Sequence, residues 1–546
     1  SHPYPKRYAT AERDEFNHGW FARHGYVSMR VDTRGIGDSE GHIHDEYREQ
    51  ELVDIEEVIR WIVAQDWCDG SVGMFGHSWG AYVSLLATAR NIDSLKAVAV
   101  SGASDDLYAE DCHFRGGVMA TEHMGWASTM MSFFSRPPDP QISGKGWKMK
   151  WKRRLQEIPW AMPGWLGHPA RDDHWKEGSL CENYAGISTP ILAASGWHDV
   201  YCNSVLSMAE KIPSTFCGVI GPWAHKFPHM GMPRPAIGWL DECVQWWDFW
   251  LKGIDNGAGN RPRLRAFLSE NADTDPHSLN ERRGQWVARK GWRSNEGETM
   301  NYRLSPGKLG IESGESILTV CSPQSLGIAS GELMPMGWGA DLPGDQRRDD
   351  ALSLCFDSDE LIQPISILGH PELELKIRSD RPVASLFARL CDVAPDGSST
   401  RICYGALNLT HSENHTSIIP LKPGEFVNVR LVLDGAGYQF LKGHRLRLAL
   451  STAYWPLFWP APEMVTIDLD PGDCRFRLPL FTGSNAEPPE FSSAEKAFSE
   501  PRTTLRKARS RRTVEHDLAS GDALYTVVDH GARERIEQHG METWNK

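Results

Sequence analysis

The chain has 546 residues, 40% hydrophobic and 24% charged, a length that calls for roughly two to four domains rather than one core. Its 58 Lys and Arg against 72 Asp and Glu leave a net charge of −14, which argues against a general nucleic-acid binder. No run of about 18 apolar residues occurs, so no transmembrane helix is expected.

The chain opens Ser1-His2-Pro3-Tyr4-Pro5-Lys6, without an initiator Met and without the apolar core of a signal peptide. Upstream residues are expected to have been trimmed. Glu12 to His24 carries Phe16, Trp20 and Phe21 at helical spacing, and Tyr26 to Val31 reads as a strand. Asp45 to Gln65 is the clearest amphipathic helix, with Leu52, Ile55, Ile59 and Ile62 on one stripe. A strand, Ser71 to Phe75, and a helix, Ala81 to Ala87, then flank Gly76-His77-Ser78-Trp79-Gly80. Strand, Gly-x-Ser-x-Gly, helix is the context of a nucleophile elbow, in which the tight turn leaves no room for side chains beside the serine. Leu95 to Val100 is the next strand. Strands separated by helices predict a parallel sheet with both faces covered.

From Asp106 to Gly186 the alternation stops. This stretch is rich in Trp, Met, Pro and charge, and reads as a helical cap with no convincing strand. Alternation resumes with the strand Pro190 to Ala194, a helix from Ser204 to Ile212, the strand Phe216 to Ile220 and a closing helix, Trp239 to Leu251. After Arg261 short alternating strands dominate: Val383 to Val393, the turn Pro395-Asp396-Gly397, Arg401 to Leu409, Phe426 to Leu433 and His444 to Ser451. The expected division is 1–105 and 188–260 for the α/β part, 106–187 for the cap, and 261–546 for an all-β sandwich or jelly roll. Gly483 to Pro501 reads as a linker. Arg506 to Arg512 reads as a solvated basic edge leading into a last strand pair, Ala523 to Val528 and Ala532 to Ile536.

A serine hydroxyl needs an imidazole to take its proton and a carboxylate to orient that imidazole. With Ser78 as nucleophile, two residues fit the order serine, acid, histidine, each after a strand. Asp199 follows the strand ending at Ala194, and His225 follows the one ending at Ile220. Both fall where open parallel sheets build their sites. His198 and His229 are competitors, while His77 reads as structural. The backbone N–H of Trp79 is one oxyanion donor by geometry, and a second is expected from a loop near the start of the domain. The 11 Cys include no C-x-x-C pair, so a Cys-based zinc site is not expected. Free thiols in a reducing, cytoplasmic setting are the expectation. The 22 Trp suit an apolar pocket as well as a core.

Five segments together resemble one family. They are Asp32 to Gly41 (DTRGIGDSEG), Trp67-Cys68-Asp69-Gly70, the Ser78 elbow, Gly196-Trp197-His198-Asp199 and Gly221-Pro222-Trp223-Ala224-His225. The family is the cocaine esterase/glutaryl acylase (CocE/NonD) group of acyl hydrolases, related to Xaa-Pro dipeptidyl-peptidases, and the likeness runs from about Pro3 to Leu480. It implies an α/β-hydrolase fold with a helical cap and a C-terminal jelly-roll-like domain. It also implies Ser78, Asp199 and His225 as the triad. Pro3-Tyr4-Pro5-Lys6 matches the segment whose tyrosine completes the family's oxyanion hole, which makes Tyr4 the second donor. Two departures stand out. Family members carry several strands ahead of that tyrosine. Val200-Tyr201-Cys202-Asn203-Ser204 also holds no carboxylate for a substrate ammonium, leaving Glu110, Asp111 or Glu122 of the cap for that task. The expected activity is cleavage of acyl esters, with amides, an Xaa-Pro dipeptidyl-peptidase and an inactive hydrolase carrying a binding β-sandwich as alternatives. The expected partner is a small ester or short peptide, with no metal or organic cofactor, no nucleic acid and no membrane. A homo-oligomer is left open.

Overall fold

The computed structural model describes residues 1–7, 10–270, 274–275, 281–294, 297–337, 340–496, 501–537 and 540–544. Helices α1 (Ala11–Arg23) and α2 (Glu49–Val63) precede strand β1 (Val72–His77), helix α3 (Trp79–Thr88) and strand β2 (Leu95–Ser101). Buried Leu52, Ile55 and Ile59 confirm the stripe that α2 turns to the core. The cap follows as α4 (Glu122–Phe134), α5 (Pro140–Ser143), α6 (Trp147–Gln156), α7 (Ala161–Leu166) and α8 (Asp173–Glu177). It holds one element the sequence did not announce, a two-residue ladder between Phe114–Arg115 and Val118–Met119. Strand β3 (Ile191–Gly196), helix α9 (Cys202–Lys211), strand β4 (Phe216–Gly221) and helix α10 (Trp239–Trp250) complete the alternation.

Strands β1, β2, β3 and β4 pair in parallel in that order. Their inward residues, Val98, Ala99, Leu192, Ala193 and Val219, are wholly buried, as helices on both faces of a parallel sheet require. The sheet does not stop where the sequence changes character. Strand β5 (Leu264–Glu270) adds parallel to β4, and β6 (Arg283–Arg289) pairs antiparallel with β5. From far along the chain, β7 (Ile365–Gly369) and β8 (Ala436–Phe440) join through β8 on β5. Eleven further strands between Thr299 and Pro479 form one sheet around a second core that includes Phe356, Leu390, Leu448 and Phe476. This is an α/β-hydrolase-type fold with a C-terminal all-β part.

Two strand expectations fail, one for lack of a partner and one because each strand pairs elsewhere. Tyr26 to Val31 forms no strand, although its sequence alternates correctly. Strand β1 ends the sheet on that side, and a cavity of about 900 Å³ separates Tyr26–Met29 from Val72–Phe75. Backbone without a hydrogen-bonded neighbour is no ladder. Near the C-terminus, Ala523–His530 pairs with Arg509–His516, not with Arg533–Ile536. The latter joins Arg502–Arg506 and Met541–Trp544 instead. The segment read as a linker is a strap. Gly238 donates to the Ser492 carbonyl, Asp241 N–H to Glu495, and Phe491 meets Trp286 edge-on. Residues 497–500 of that segment lie outside the described residues. Within the basic edge, Arg509 and Arg511 are exposed, whereas Arg512 pairs with Glu332.

Candidate active site

The site is assembled by register. Gly76 stands beside Val100, His77 beside Ser101, Ser101 beside Ala194, and Gly196 beside Gly221. The carboxyl ends of β1 to β4 therefore lie side by side, and the loops leaving them share one edge. Ser78 is the first residue after β1, Asp199 the third after β3 and His225 the fourth after β4.

Ser78 sits at φ 58°, ψ −129°, a backbone region costly for a residue with a side chain. Its N–H bonds the Ser101 carbonyl at 3.0 Å, while the N–H groups of Ala81 and Tyr82 bond back to the Ser78 carbonyl. The two glycines are not equivalent. A Cβ at Gly76 would fall 2.1 Å from the carbonyl carbon of Gly80, which no adjustment accommodates. A Cβ at Gly80 would meet nothing nearer than 3.5 Å, so only Gly76 is demanded by sterics.

Asp199 and His225 meet. Nδ1 of His225 lies 3.1 and 3.2 Å from the two carboxylate oxygens of Asp199, with both residues only 3% exposed. Their loops are braced from several sides. Asp199 N–H bonds the Gly196 carbonyl at 2.9 Å, and His225 N–H bonds the Pro335 carbonyl at 2.8 Å. The His77 ring lies 4.4 Å from the His225 ring, and its Nδ1 is engaged by the Ser101 hydroxyl at 2.9 Å. Burial, and then the neighbouring His225, hold His77 neutral. Neither competitor forms a hydrogen bond or ion pair with Asp199 among the described residues. Burial pushes both His198 and His229 down to about 3. His229 packs on Phe16 and Phe227 instead.

Tyr4 reaches the elbow. Its hydroxyl faces the Ser78 side chain, and burial pushes its pKa up to about 12 in spite of that neighbour, so it stays a proton donor. Its ring meets Phe133 of α4 edge-on at 5.0 Å, its carbonyl accepts from Arg30, and its N–H bonds Nδ1 of His2 at 3.3 Å. Trp79 is wholly buried, its indole N–H held by Glu51 at 2.8 Å, which fixes the start of α3.

Two contributors were invisible in the sequence. Gly102, the first residue after β2, has φ +58°. A Cβ there would lie 3.0 Å from Cε1 of His225 and 3.1 Å from Oδ2 of Asp199. Arg115 is buried at the foot of the cap, donates to the Val200 carbonyl at 3.0 Å, and pairs with Glu110 and with Asp434 of the β-rich part. Asn203 at the head of α9 bonds the same two carboxylates at 2.9 Å each. Three regions distant in sequence thus brace the turn that carries Asp199. Among the described residues one trio, Asp111, Cys112 and His113, has metal-ligand chemistry. Two of its atoms are engaged, His113 Nε2 with Glu46 at 2.6 Å and Asp111 Oδ1 with the Tyr201 hydroxyl at 3.1 Å, while Asp111 Oδ2 and His113 Nδ1 are buried without a hydrogen-bond partner.

Comparison with known proteins agrees with this geometry. Residues 1–227 match the family model described as X-Pro dipeptidyl-peptidase (S15 family), and residues 256–496 match the X-Pro dipeptidyl-peptidase C-terminal non-catalytic domain. The chain is 27% identical over 482 residues to cocaine esterase of Rhodococcus sp. (strain MB1 Bresler), covering 80% of this chain and 82% of that one. The chain belongs to the CocE/NonD and peptidase S15 family of acyl hydrolases. Like the S15-family members it matches, it is a serine hydrolase. It is also similar to the Xaa-Pro dipeptidyl-peptidase of Lactobacillus delbrueckii subsp. lactis, 20% identical over 63% of this chain and 44% of that one. The family fold is shared with the solved structure of an α-amino acid ester hydrolase, at TM-score 0.68, 17% identity and 88% and 91% of the two chains. A CocE/NonD hydrolase from Staphylococcus aureus superposes at TM-score 0.62, with 16% identity over 82% and 79%.

Proposed function

We propose that this hydrolase cleaves carboxylic acyl esters through an acyl-enzyme on Ser78. His225 takes the Ser78 proton as Oγ bonds to the carbonyl carbon, and Asp199 holds the imidazole in the tautomer that makes this possible. The negative oxygen that develops is received by the Trp79 N–H and the Tyr4 hydroxyl. Collapse breaks the bond to the alkoxy group, which leaves as an alcohol with the proton from His225. Water then repeats the sequence: His225 takes its proton, its oxygen attacks the acyl carbon, and Ser78 departs reprotonated. The observation that carries this reading is the pair of contacts Asp199–His225 and Tyr4–Ser78, made from four separate segments. Phe133 on Tyr4, and Trp126 at 6.1 Å from Trp79, give the acyl side an apolar, aromatic wall from α4. We read the β-rich part as jelly-roll-like, the cap as residues 106–187, and the compartment as cytoplasmic, in keeping with 11 unpaired cysteines.

Ester preference is supported by the likeness to a protein named cocaine esterase over most of both chains. A second reading, release of Xaa-Pro dipeptides, is favoured by Glu122. Burial, and then nearby Glu332, raise this cap carboxyl to about 7, and a substrate ammonium would relieve both effects. The test has two parts. A fluorophosphonate probe labels wild type and not Ser78→Ala; labelling of the variant, or none of the folded wild type, refutes the mechanism. Turnover of a p-nitrophenyl ester above Gly-Pro-p-nitroanilide supports the ester reading, and the reverse order supports the peptidase.

A further inference from the structure

The cap carries a charge pattern opposite to that of the whole chain. Between Pro140 and Gln156 there are six basic residues (Lys145, Lys148, Lys150, Lys152, Arg153 and Arg154) and no acidic one, in a protein of net charge −14. Helix α6 sorts them by face. Trp147, Lys150, Trp151 and Arg154 lie inward and half-buried. The Trp151 indole N–H bonds the Ser135 carbonyl at 2.7 Å, and Arg154 bonds the carbonyls of Arg136 and Gly37 at 2.8 and 3.0 Å. Lys148, Met149, Lys152, Arg153 and Leu155 are exposed, at the spacing of one helical face. Met149 is 76% and Leu155 43% exposed, and the neighbouring cap segments present Ile142 at 59% and Trp160 at 48%. Lys145, Lys148 and Lys152 make no ion pair among the described residues.

We propose that this face of α6 docks the enzyme on an anionic lipid surface, lying in the interface without crossing it. The expectation of no membrane rests on the lack of a long apolar run, and a surface-lying helix needs none. Charge complementarity selects the partner: basic side chains meet phospholipid headgroups, while Met149 and Leu155 enter the acyl boundary. A nucleic acid would use the charges and leave the apolar pair exposed. Docking would also bring apolar esters close to the site. The Ser135 carbonyl that anchors α6 is two residues from Phe133, whose ring lies on Tyr4.

The experiment is co-sedimentation of the full chain with vesicles of phosphatidylcholine alone and of phosphatidylcholine mixed with phosphatidylglycerol. Binding to the anionic vesicles only, weakened by salt, is expected. At roughly fivefold per basic residue, K148E/K152E/R153E should lower it by about a hundredfold, and M149D/L155D by about tenfold. Both variants alter exposed side chains away from Ser78, so hydrolysis of a soluble ester should be unchanged, which also verifies folding. Equal binding to both vesicle types, or none, overturns the proposal. So does an oligonucleotide that binds in a charge-dependent way while M149D/L155D leaves vesicle binding intact.

Discussion

Gly102 lies directly against His225: the space a Cβ would need is already taken by the imidazole Cε1 at 3.0 Å. Its φ of +58° adds a second constraint on the same residue. The strand β2 that ends there therefore sets how closely the histidine can approach the serine elbow.

Gly102→Ala is expected to move the imidazole by a fraction of an ångström and to strain the turn. A misplacement of that order costs about a hundredfold in rate. Steady-state kinetics should show kcat/KM falling by about that factor while circular dichroism stays native. Unaltered kinetics would show that the ring yields freely.

Tyr4→Phe removes one hydroxyl and keeps the ring on Phe133. Loss of an oxyanion donor lowers kcat by about 10²–10³-fold with little change in KM. A change confined to KM would assign Tyr4 to substrate binding.

Four carboxyls, those of Glu51, Glu110, Glu122 and Glu495, are raised by burial from 4.5 to about 7. A carboxyl with a raised folded pKa holds its proton in the native state when the unfolded chain has lost it. Stability is therefore greatest below pH 4.5 for these groups and falls as the pH rises towards 7. Glu51→Gln keeps an oxygen for the Trp79 indole and removes the titration. It should flatten the decline by on the order of 1–3 kcal/mol, measured by urea denaturation across that interval. A slope identical to wild type would mean that Glu51 ionises freely.

Arg115→Met should be destabilising, because it leaves Glu110 and Asp434, whose side chains are 25% and 17% exposed, without the buried cation between them. Breaking a fully buried pair costs about 3–5 kcal/mol, and the part-exposed carboxylates here set that as the upper bound. Chemical denaturation should register that loss. R115M/E110Q, which removes one of the stranded charges, should recover part of it.

The residues proposed as the triad could be picked out because each follows a strand whose apolar run is plain, in the order serine, acid, histidine. Tyr4 came through family likeness alone. Gly102 and Arg115 were not legible, since their importance comes from close approach between segments far apart in sequence. Tyr26 to Val31 misled because alternation reports a favourable pattern and says nothing of a partner. The C-terminal pairing was missed because Asp517 was not read as a turn former. Its carboxylate accepts from the N–H groups of Ala519 and Ser520, and its own N–H bonds the Asp522 carbonyl.

The cavity beside β1 has a mechanical consequence. The strand that presents Ser78 is clamped by hydrogen bonds along one edge only, where β2 runs. Its other edge pairs with no strand among the described residues. The strands that carry Asp199 and His225, β3 and β4, are each paired on both sides. Position at the nucleophile is thus shared between one ladder and two local anchors, the Ser78 N–H on the Ser101 carbonyl and the Trp79 indole on Glu51.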